Sequence, residues 1–287
     1  MNKIILGGGL SGLVCGVLDP SALIITNSVG GVARTENIAP FMIHFSLKAM
    51  QFLSAIGCPY NLSTCRVGYY YGNEVHDELP ALLAKMYYIK SRGREPEPVD
   101  YEAVKKLGGD FLYLAASLEG FIKSMMKIIG ERRIRIHNIE EVDLEAREIK
   151  VEKKGYRFYG ELTSTLPACV FFPLINRRDV EFAVKGKRFE LEDEPKYDIK
   201  GYDYVYFPEV ESPDMLLRIT KRADGKYTHE YPYSHMVDYK KEAGVAPYAY
   251  ILEPKEIPKV KGVKFVGRYA QWKDSILIHN VIEELLK

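Results

Sequence analysis

The stretch that decides the fold of this chain is Lys3-Ile4-Ile5-Leu6-Gly7-Gly8-Gly9-Leu10-Ser11-Gly12, close to its beginning. Its first residues form a short apolar run, which is typical of a buried parallel strand. The glycines that follow have the spacing G-x-G-x-x-G, and residues 13–18 can form a short helix. Residues 22–26 then form a second apolar run. This order predicts a strand, a helix and a second strand, the beginning of a parallel α/β sheet.

Each glycine of the motif has its own physical reason. Gly7 permits the tight turn at the end of the strand, Gly9 lets a ligand approach the backbone, and Gly12 lets the helix pack closely on the strand. The N–H groups at the start of that helix are then available to a phosphate group. A plain connection between strand and helix can also contain these glycines, but the position between two predicted strands favours a dinucleotide-binding site.

One residue that is expected in such a site is absent. A carboxylate at the end of the second strand normally holds a ribose hydroxyl. Thr26, Asn27 and Ser28 stand in that region instead. Because the Asn27 amide can still form a hydrogen bond without a charge, we predict that it contacts the ribose.

The second strand is followed by Gly30-Gly31-Val32-Ala33-Arg34-Thr35. Together with the first motif, this segment resembles the flavoprotein superfamily of FAD-dependent amine oxidases, protoporphyrinogen oxidases and UDP-galactopyranose mutases. The resemblance implies that the segment approaches the pyrophosphate of FAD. Two glycines permit that approach, and Arg34 offers a forked, permanently charged donor to phosphate oxygens. A solvated surface arginine is the alternative reading of Arg34.

The end of the chain carries the second part of the resemblance. Val263–Val266 predicts a strand, Gly267-Arg268 follows it, and a helix is predicted over Ser275–Leu286. The superfamily ends in the same order, with a helix whose N-terminus points toward the flavin ring. It also implies that Ile139 lies near adenine and that a strand returns to the nucleotide domain at Ser164-Thr165-Leu166-Pro167. The predicted cofactor contacts are Gly7, Gly8, Gly9, Leu10, Ser11, Gly12, Asn27, Gly30, Gly31, Arg34, Thr35, Ile139, Thr165, Gly267, Arg268, Ser275 and Ile276.

Composition limits the function classes. The 287 residues include 40 Lys and Arg against 39 Asp and Glu, so a net charge of +1 gives no argument for a nucleic acid or an anionic membrane. The four cysteines are scattered and form no C-x-x-C, which favours buried free thiols in a reducing cytoplasm. We expect no signal peptide and no integral membrane segment. The histidines show no zinc-like spacing, so no metal site is predicted.

The remaining segments define two insertions. Apolar spacing predicts helices over Ser46–Ile56 and Leu79–Tyr88, and a helix with its approach over Phe111–Ile129. The tyrosine-rich region 179–250 predicts an antiparallel sheet. We therefore expect an α/β fold: a Rossmann-like FAD-binding domain with a parallel sheet, and an interleaved smaller α+β substrate domain. The FAD-binding domain comprises residues 1–45, 111–175 and 258–287, and the substrate or cap domain residues 46–110 and 176–257.

The resemblance implies an FAD-dependent oxidoreductase in which the flavin accepts a hydride from a small or aromatic substrate. Two alternatives stay open: an isomerase similar to UDP-galactopyranose mutase that uses reduced flavin, and a flavin-binding protein without catalysis. The expected partner is a small-molecule substrate, with no nucleic acid, and a homo-oligomer is compatible with the sequence. Candidate catalytic residues are His44, Arg218, Tyr231 and Trp272. His44 is equally compatible with an ordinary core histidine.

Overall fold

The structure is a computed structural model that describes residues 3–31, 41–96, 109–152, 154–157, 161–209, 215–233, 245–252 and 255–287. The helices are α1 (Leu10–Leu18), α2 (Leu47–Ala55), α3 (Ala81–Arg92), α4 (Leu118–Ile129), α5 (Ala168–Leu174) and α6 (Ile278–Leu285). The strands are β1 (Lys3–Gly9), β2 (Ala22–Gly30), β3 (Ile43–His44), β4 (Asn61–Cys65), β5 (Val67–Tyr71), β6 (Glu74–His76), β7 (Phe111–Ala115), β8 (Ile134–Ile136), β9 (Ile139–Asp143), β10 (Glu148–Val151), β11 (Lys154–Arg157), β12 (Leu162–Ser164), β13 (Val184–Glu192), β14 (Tyr204–Tyr206), β15 (Arg218–Lys221), β16 (Tyr227–Tyr233), β17 (Val245–Ile251) and β18 (Val263–Phe265).

The central element is a five-stranded parallel sheet in the order β18-β12-β1-β2-β8. Residues from the beginning, the middle and the end of the chain therefore pair side by side, with Leu6 opposite Ile25 on one side and Ser164 on the other. Both faces of this sheet are covered, as apolar strands of this kind require. The predicted parallel α/β sheet is confirmed.

Side chains of β1 alternate between two cores. Ile5 packs into a core with helices α1, α2, α4 and α6, whereas Ile4 and Leu6 pack into a second core with α5 and the small sheet β9–β11. This alternation follows from the period of two in a strand. Helix α2 belongs by sequence to the first insertion, yet its Phe52 and Leu53 pack into the first core.

The two insertions build one seven-stranded sheet in the order β17-β13-β16-β15-β14-β5-β6. β5 and β6 come from the first insertion, and the other strands come from the second. The junction between them is the parallel pair β5–β14, in which Tyr204 lies opposite Val67 and Tyr206 opposite Tyr69. The interleaved α+β part that the sequence predicted is therefore present.

A fourth sheet, β3-β7-β4, corrects one prediction. Residues 111–115 form strand β7 and not the approach to a helix, because they pair with both β3 and β4. Helix α4 begins only at Leu118, after the N-cap Ser117, whose Oγ accepts a hydrogen bond from the Gly120 N–H at 2.8 Å.

The C-terminal helix is also shorter than predicted, since α6 begins at Ile278 and not at Ser275. Three cysteines are buried and Cys169 is half-buried, all as free thiols. Within the described residues, no helix combines the length and apolar composition that crossing a bilayer requires.

Candidate cofactor and substrate site

The turn after β1 is held by close contacts that only glycine allows. Gly7 has φ +101°, and a Cβ at Gly12 would lie 1.9 Å from the Gly7 carbonyl oxygen. Thr165 supports this turn from the end of β12, because its Oγ1 donates to the carbonyl oxygens of Leu6 at 2.9 Å and Gly7 at 3.1 Å. Thr165 therefore positions the glycine turn, and its hydroxyl is directed at the backbone.

Gly9 has a different environment. It is the N-cap of α1 with φ −68°, which any residue can adopt, and a Cβ there would meet only the Gly31 Cα at 3.9 Å. The space beside Gly9 is thus open, while the N–H groups of Leu10 and Ser11 begin the helix without a capping side chain. A backbone cradle at a helix N-terminus fits the oxygens of a pyrophosphate.

Two glycines from later segments of the chain lie against the start of α1. Gly31 has φ +57°, and its own Cβ would come within 2.9 Å of the Gly9 Cα. Gly267 has φ +96°, and a Cβ there would lie 2.4 Å from the Ser11 Oγ. The glycines of all three motifs therefore surround the start of α1, and a side chain at Gly31 or Gly267 would collide with it. The predicted contacts Arg34 and Thr35 lie outside the described residues.

Strand β2 is longer than the predicted 22–26 and continues to Gly30, so Thr26 and Asn27, which stand where a carboxylate was expected, lie in its middle. Thr26 is buried, and its Oγ1 accepts from the Gly8 N–H at 2.9 Å while it donates to the Ser28 carbonyl at 2.7 Å. Asn27 is exposed. The His137 N–H donates to the Thr26 carbonyl at 2.8 Å, so Asn27 lies near the segment that leads to Ile139. Ile139 itself packs against the second core.

The segment after β18 turns back toward the insertions. Arg268 and Arg92 of α3 both donate to the Asp274 carboxylate. Burial alone would raise the pKa of Asp274, but the positive charges of Arg268 and Arg92 outweigh it and lower that pKa. Ser275 is exposed and Ile276 packs into the first core, both in the turn before α6.

His44 lies between two other rings. It stacks on Phe111 at 4.4 Å between centroids, and its second neighbour, at 5.3 Å, is His279 in the first turn of α6. Burial lowers the pKa of His44, and a charge on His279 would lower it further. Burial also lowers the pKa of His279, against the opposing effect of Glu283. Burial therefore favours the neutral form of both imidazoles.

The other candidate catalytic residues are separated by the seven-stranded sheet. Arg218 lies on one face, in contact with Glu230 and with its guanidinium 4.3 Å from the centre of the Tyr204 ring. Tyr231 lies on the opposite face in an apolar cluster, where its hydroxyl bonds to the Lys196 Nζ at 2.7 Å. Tyr231 and Arg218 therefore cannot act on the same substrate group.

Trp272 has a structural position. It is completely buried with φ +53°, and its ring packs edge-on against Phe182 at 4.6 Å inside the second core. Because the side chain has no exposed surface, packing explains this residue better than the catalytic role for which the sequence made it a candidate.

Three polar residues near the site were missed by sequence reasoning: His279, Lys187 and Glu230. His279 stacks with His44, and Glu230 binds both Lys187 and Arg218. A charged residue at an inward-facing position of a strand could have indicated Glu230 and Lys187. However, only the strand register shows which residues point inward.

Solved structures share this architecture. A protein from Pyrococcus furiosus aligns with a TM-score of 0.64 and 16% identity, covering 100% of this chain and 98% of its own. An oxidoreductase from Methanosarcina mazei aligns with a TM-score of 0.62 and 10% identity, covering 100% of both chains. Reduced UDP-galactopyranose mutase aligns with a TM-score of 0.59 and 11% identity, covering 81% of this chain and 74% of that chain.

No protein-family model matches the chain, and no curated protein matches it significantly by sequence. At identities of 10 to 16% the likeness to solved structures establishes the fold. The chain therefore has the fold of these solved structures, which include an oxidoreductase and UDP-galactopyranose mutase.

Proposed function

We propose that this chain is an FAD-dependent oxidoreductase that oxidises a small or aromatic substrate. The observation that carries the proposal is the meeting of Gly9, Gly31 and Gly267 around the uncapped start of α1. Three distant segments that resemble FAD-binding motifs are thus assembled into one backbone cradle. A plain strand-to-helix connection does not require Gly31 or Gly267 to approach it so closely.

In this proposal the residues of the cradle bind and orient the cofactor. The N–H groups of Leu10 and Ser11 donate to phosphate oxygens, and the helix dipole favours their negative charge. Asn27 bonds the ribose, and Ile139 borders the adenine. Residues 1–45, 111–175 and 258–287 form the FAD-binding part, and 46–110 and 176–257 the substrate part.

The substrate would lie between this part and the seven-stranded sheet. FAD, when bound, supplies the acceptor for a hydride. Phe111 and Tyr204 pack edge-on, with ring centroids 6.5 Å apart, and exclude water from one side. His44 and His279, whose neutral form burial favours, can take up a proton that the substrate releases.

The first experiment is reconstitution of the purified protein with FAD, followed by an absorption spectrum. A bound flavin whose oxidised bands bleach under anaerobic conditions with an amine, a porphyrinogen or another reductant supports the oxidoreductase. Failure to bind FAD even after reconstitution would overturn the proposal.

Two further outcomes identify the alternatives. An isomerase similar to UDP-galactopyranose mutase would bind a sugar nucleotide tightly only after chemical reduction of the flavin. A non-catalytic flavin protein would hold FAD that dithionite reduces but that no substrate reduces.

A further inference from the structure

One face of the seven-stranded sheet carries an ionic row. Arg218 on β15 pairs in register with Glu230 on β16 and with Tyr206 on β14, so these side chains point to the same face. Phe189 on β13 pairs with Glu230, which places Lys187, two residues away, on that face too. The opposite face is an apolar cluster that includes Val205, Ile219 and Tyr231.

Glu230 binds both cations of the row. Its Oε2 lies 2.7 Å from the Lys187 Nζ, and its Oε1 accepts from the Arg218 Nε and Nη2. Burial alone would raise the pKa of Glu230, but the charges of Arg218 and Lys187 outweigh it and keep the carboxylate ionised. Burial lowers the pKa of Lys187 to about 8.

The negatively and positively charged side chains of the row are buried to different extents. The Glu230 side chain is 0% exposed, whereas 11% of the Lys187 side chain and 16% of the Arg218 side chain reach solvent. The carboxylate is thus behind the cations, which form the outer layer of the row. Glu230 therefore holds both cations in place, and part of each cation reaches solvent.

Two features relate the ionic row to the proposed cofactor cradle and to the histidine pair. Besides burial, the positive charge of Arg268 lowers the pKa of Lys187, and Arg268 directly follows Gly267, the glycine that packs on Ser11. On the other side, Tyr204 lies beneath the Arg218 guanidinium and packs edge-on against Phe111, the ring that stacks on His44. The ionic row and the histidine pair therefore border one region.

Stability alone does not account for the row. Replacing a buried ion cluster by apolar residues of similar size is often neutral or stabilising. The apolar cluster on the opposite face already supplies the sheet with a core. Ionisable groups with shifted pKa values in such a position are a recurring feature of functional sites.

We propose that the substrate carries an anionic group, a carboxylate or a phosphoryl group, which Arg218 and Lys187 bind while Tyr204 borders the adjoining part of the molecule. This inference rests on the proposed function and specifies its substrate class. The forked guanidinium of Arg218 matches the paired oxygens of either group. Glu230 is the positioning residue that holds both cations.

The test compares matched ligands on the FAD-loaded protein by the change in the flavin spectrum. Benzoate against benzamide tests the carboxylate, and uridine diphosphate against uridine tests the phosphoryl group. The charged member of one pair is expected to bind at least about tenfold more tightly than its neutral partner. Equal binding of charged and neutral members in both pairs would overturn the inference.

Substitutions test which residues bind the anionic ligand. Arg218→Gln is expected to weaken binding of the anionic ligand by about tenfold or more, and Arg218→Lys is expected to restore part of the lost affinity. Arg188→Gln is the matched control, because Arg188 on β13 is an exposed arginine on the opposite face of the sheet, paired with Glu190. The assignment of the site to Arg218 is wrong if Arg218→Gln binds the anionic ligand as tightly as the wild type does, or if Arg188→Gln loses as much affinity as Arg218→Gln.

A second readout separates this inference from the proposed function. The same ligand pairs are added to FAD-free protein, and the midpoint of thermal unfolding is measured. A rise with the anionic member alone supports the site even if no flavin binds. A flavin-loaded protein that responds to no anion in either readout refutes the inference and leaves the cofactor assignment standing. Should Arg218→Gln fail to fold, Lys187→Met is measured in the same way.

Discussion

Gly9 and Gly12 lie in the same turn, yet a methyl group at each would meet opposite surroundings. At Gly12 it would collide with the Gly7 carbonyl oxygen at 1.9 Å, which is a backbone atom that cannot move independently. At Gly9 it would project into open space, with the Gly31 Cα at 3.9 Å as its nearest neighbour. Gly12 is therefore required by the fold, and Gly9 is required by whatever approaches the backbone.

Gly9→Ala is predicted to fold normally and to lose affinity for FAD. The added methyl group occupies the space that a pyrophosphate would use, which costs roughly 1–3 kcal/mol or about 5- to 150-fold in the dissociation constant. Fluorescence titration with FAD measures this affinity.

Gly12→Ala is the comparison, and its free energy of unfolding is expected to fall by about 1–3 kcal/mol because the helix must move off the strand. Wild-type affinity in Gly9→Ala would show that FAD does not lie against Gly9.

At the scale of elements, a side-chain cap fixes where helix α4 begins. Helix α4 packs on α1 in the first core through Phe121 and Met125, and its first turn depends on the Ser117 cap. Strand β7, just before this cap, is a strand because β3 and β4 pair with it. Tertiary pairing overrides the local helical spacing in that segment.

Ser117→Ala is predicted to lower the free energy of unfolding by about 1 kcal/mol, because the Gly120 N–H loses its acceptor. Chemical denaturation followed by circular dichroism measures the change. Ser117→Asp keeps an acceptor at the N-cap and should retain most of the stability. A loss in Ser117→Asp as large as in Ser117→Ala would assign the effect to packing and not to the cap.

At the scale of the whole molecule, the stability should depend on pH through buried histidines. Burial lowers the pKa of His44, His229 and His279 below the ordinary value of 6.5. The unfolded chain therefore binds more protons than the folded chain once the pH falls below this value. Stability rises with pH wherever the unfolded state binds more protons, so the folded state loses stability on acidification.

We predict that the midpoint temperature of thermal unfolding decreases as the pH is lowered from about 7 to about 5. In the double variant His44→Gln/His279→Gln this temperature should decrease less steeply. The variant removes two of the groups whose protonation favours the unfolded state. His76→Gln, at the edge strand β6, is the control and should keep the wild-type slope. Equal slopes in the double variant and the wild type would contradict this account.

The sequence by itself determined the βαβ unit, the glycine turn and the glycine that follows β18. Each is a local pattern, because an apolar run bounded by glycines favours a buried strand and a glycine permits backbone conformations that other residues rarely adopt. The predicted antiparallel sheet in the tyrosine-rich region followed from similar local alternation. These patterns sufficed to predict the fold and the position of the proposed cofactor cradle.

Only the tertiary structure decided which polar side chains act together. Arg218 was a candidate from sequence, but its partners Glu230 and Lys187 follow from the register of three strands. The same alternation placed Tyr231 on the other face of the sheet. His279 joined His44 because α6 packs beside β3, and Trp272 entered the second core. Such contacts join residues far apart in the chain, and a local pattern carries no information about them because they depend on how whole elements pack.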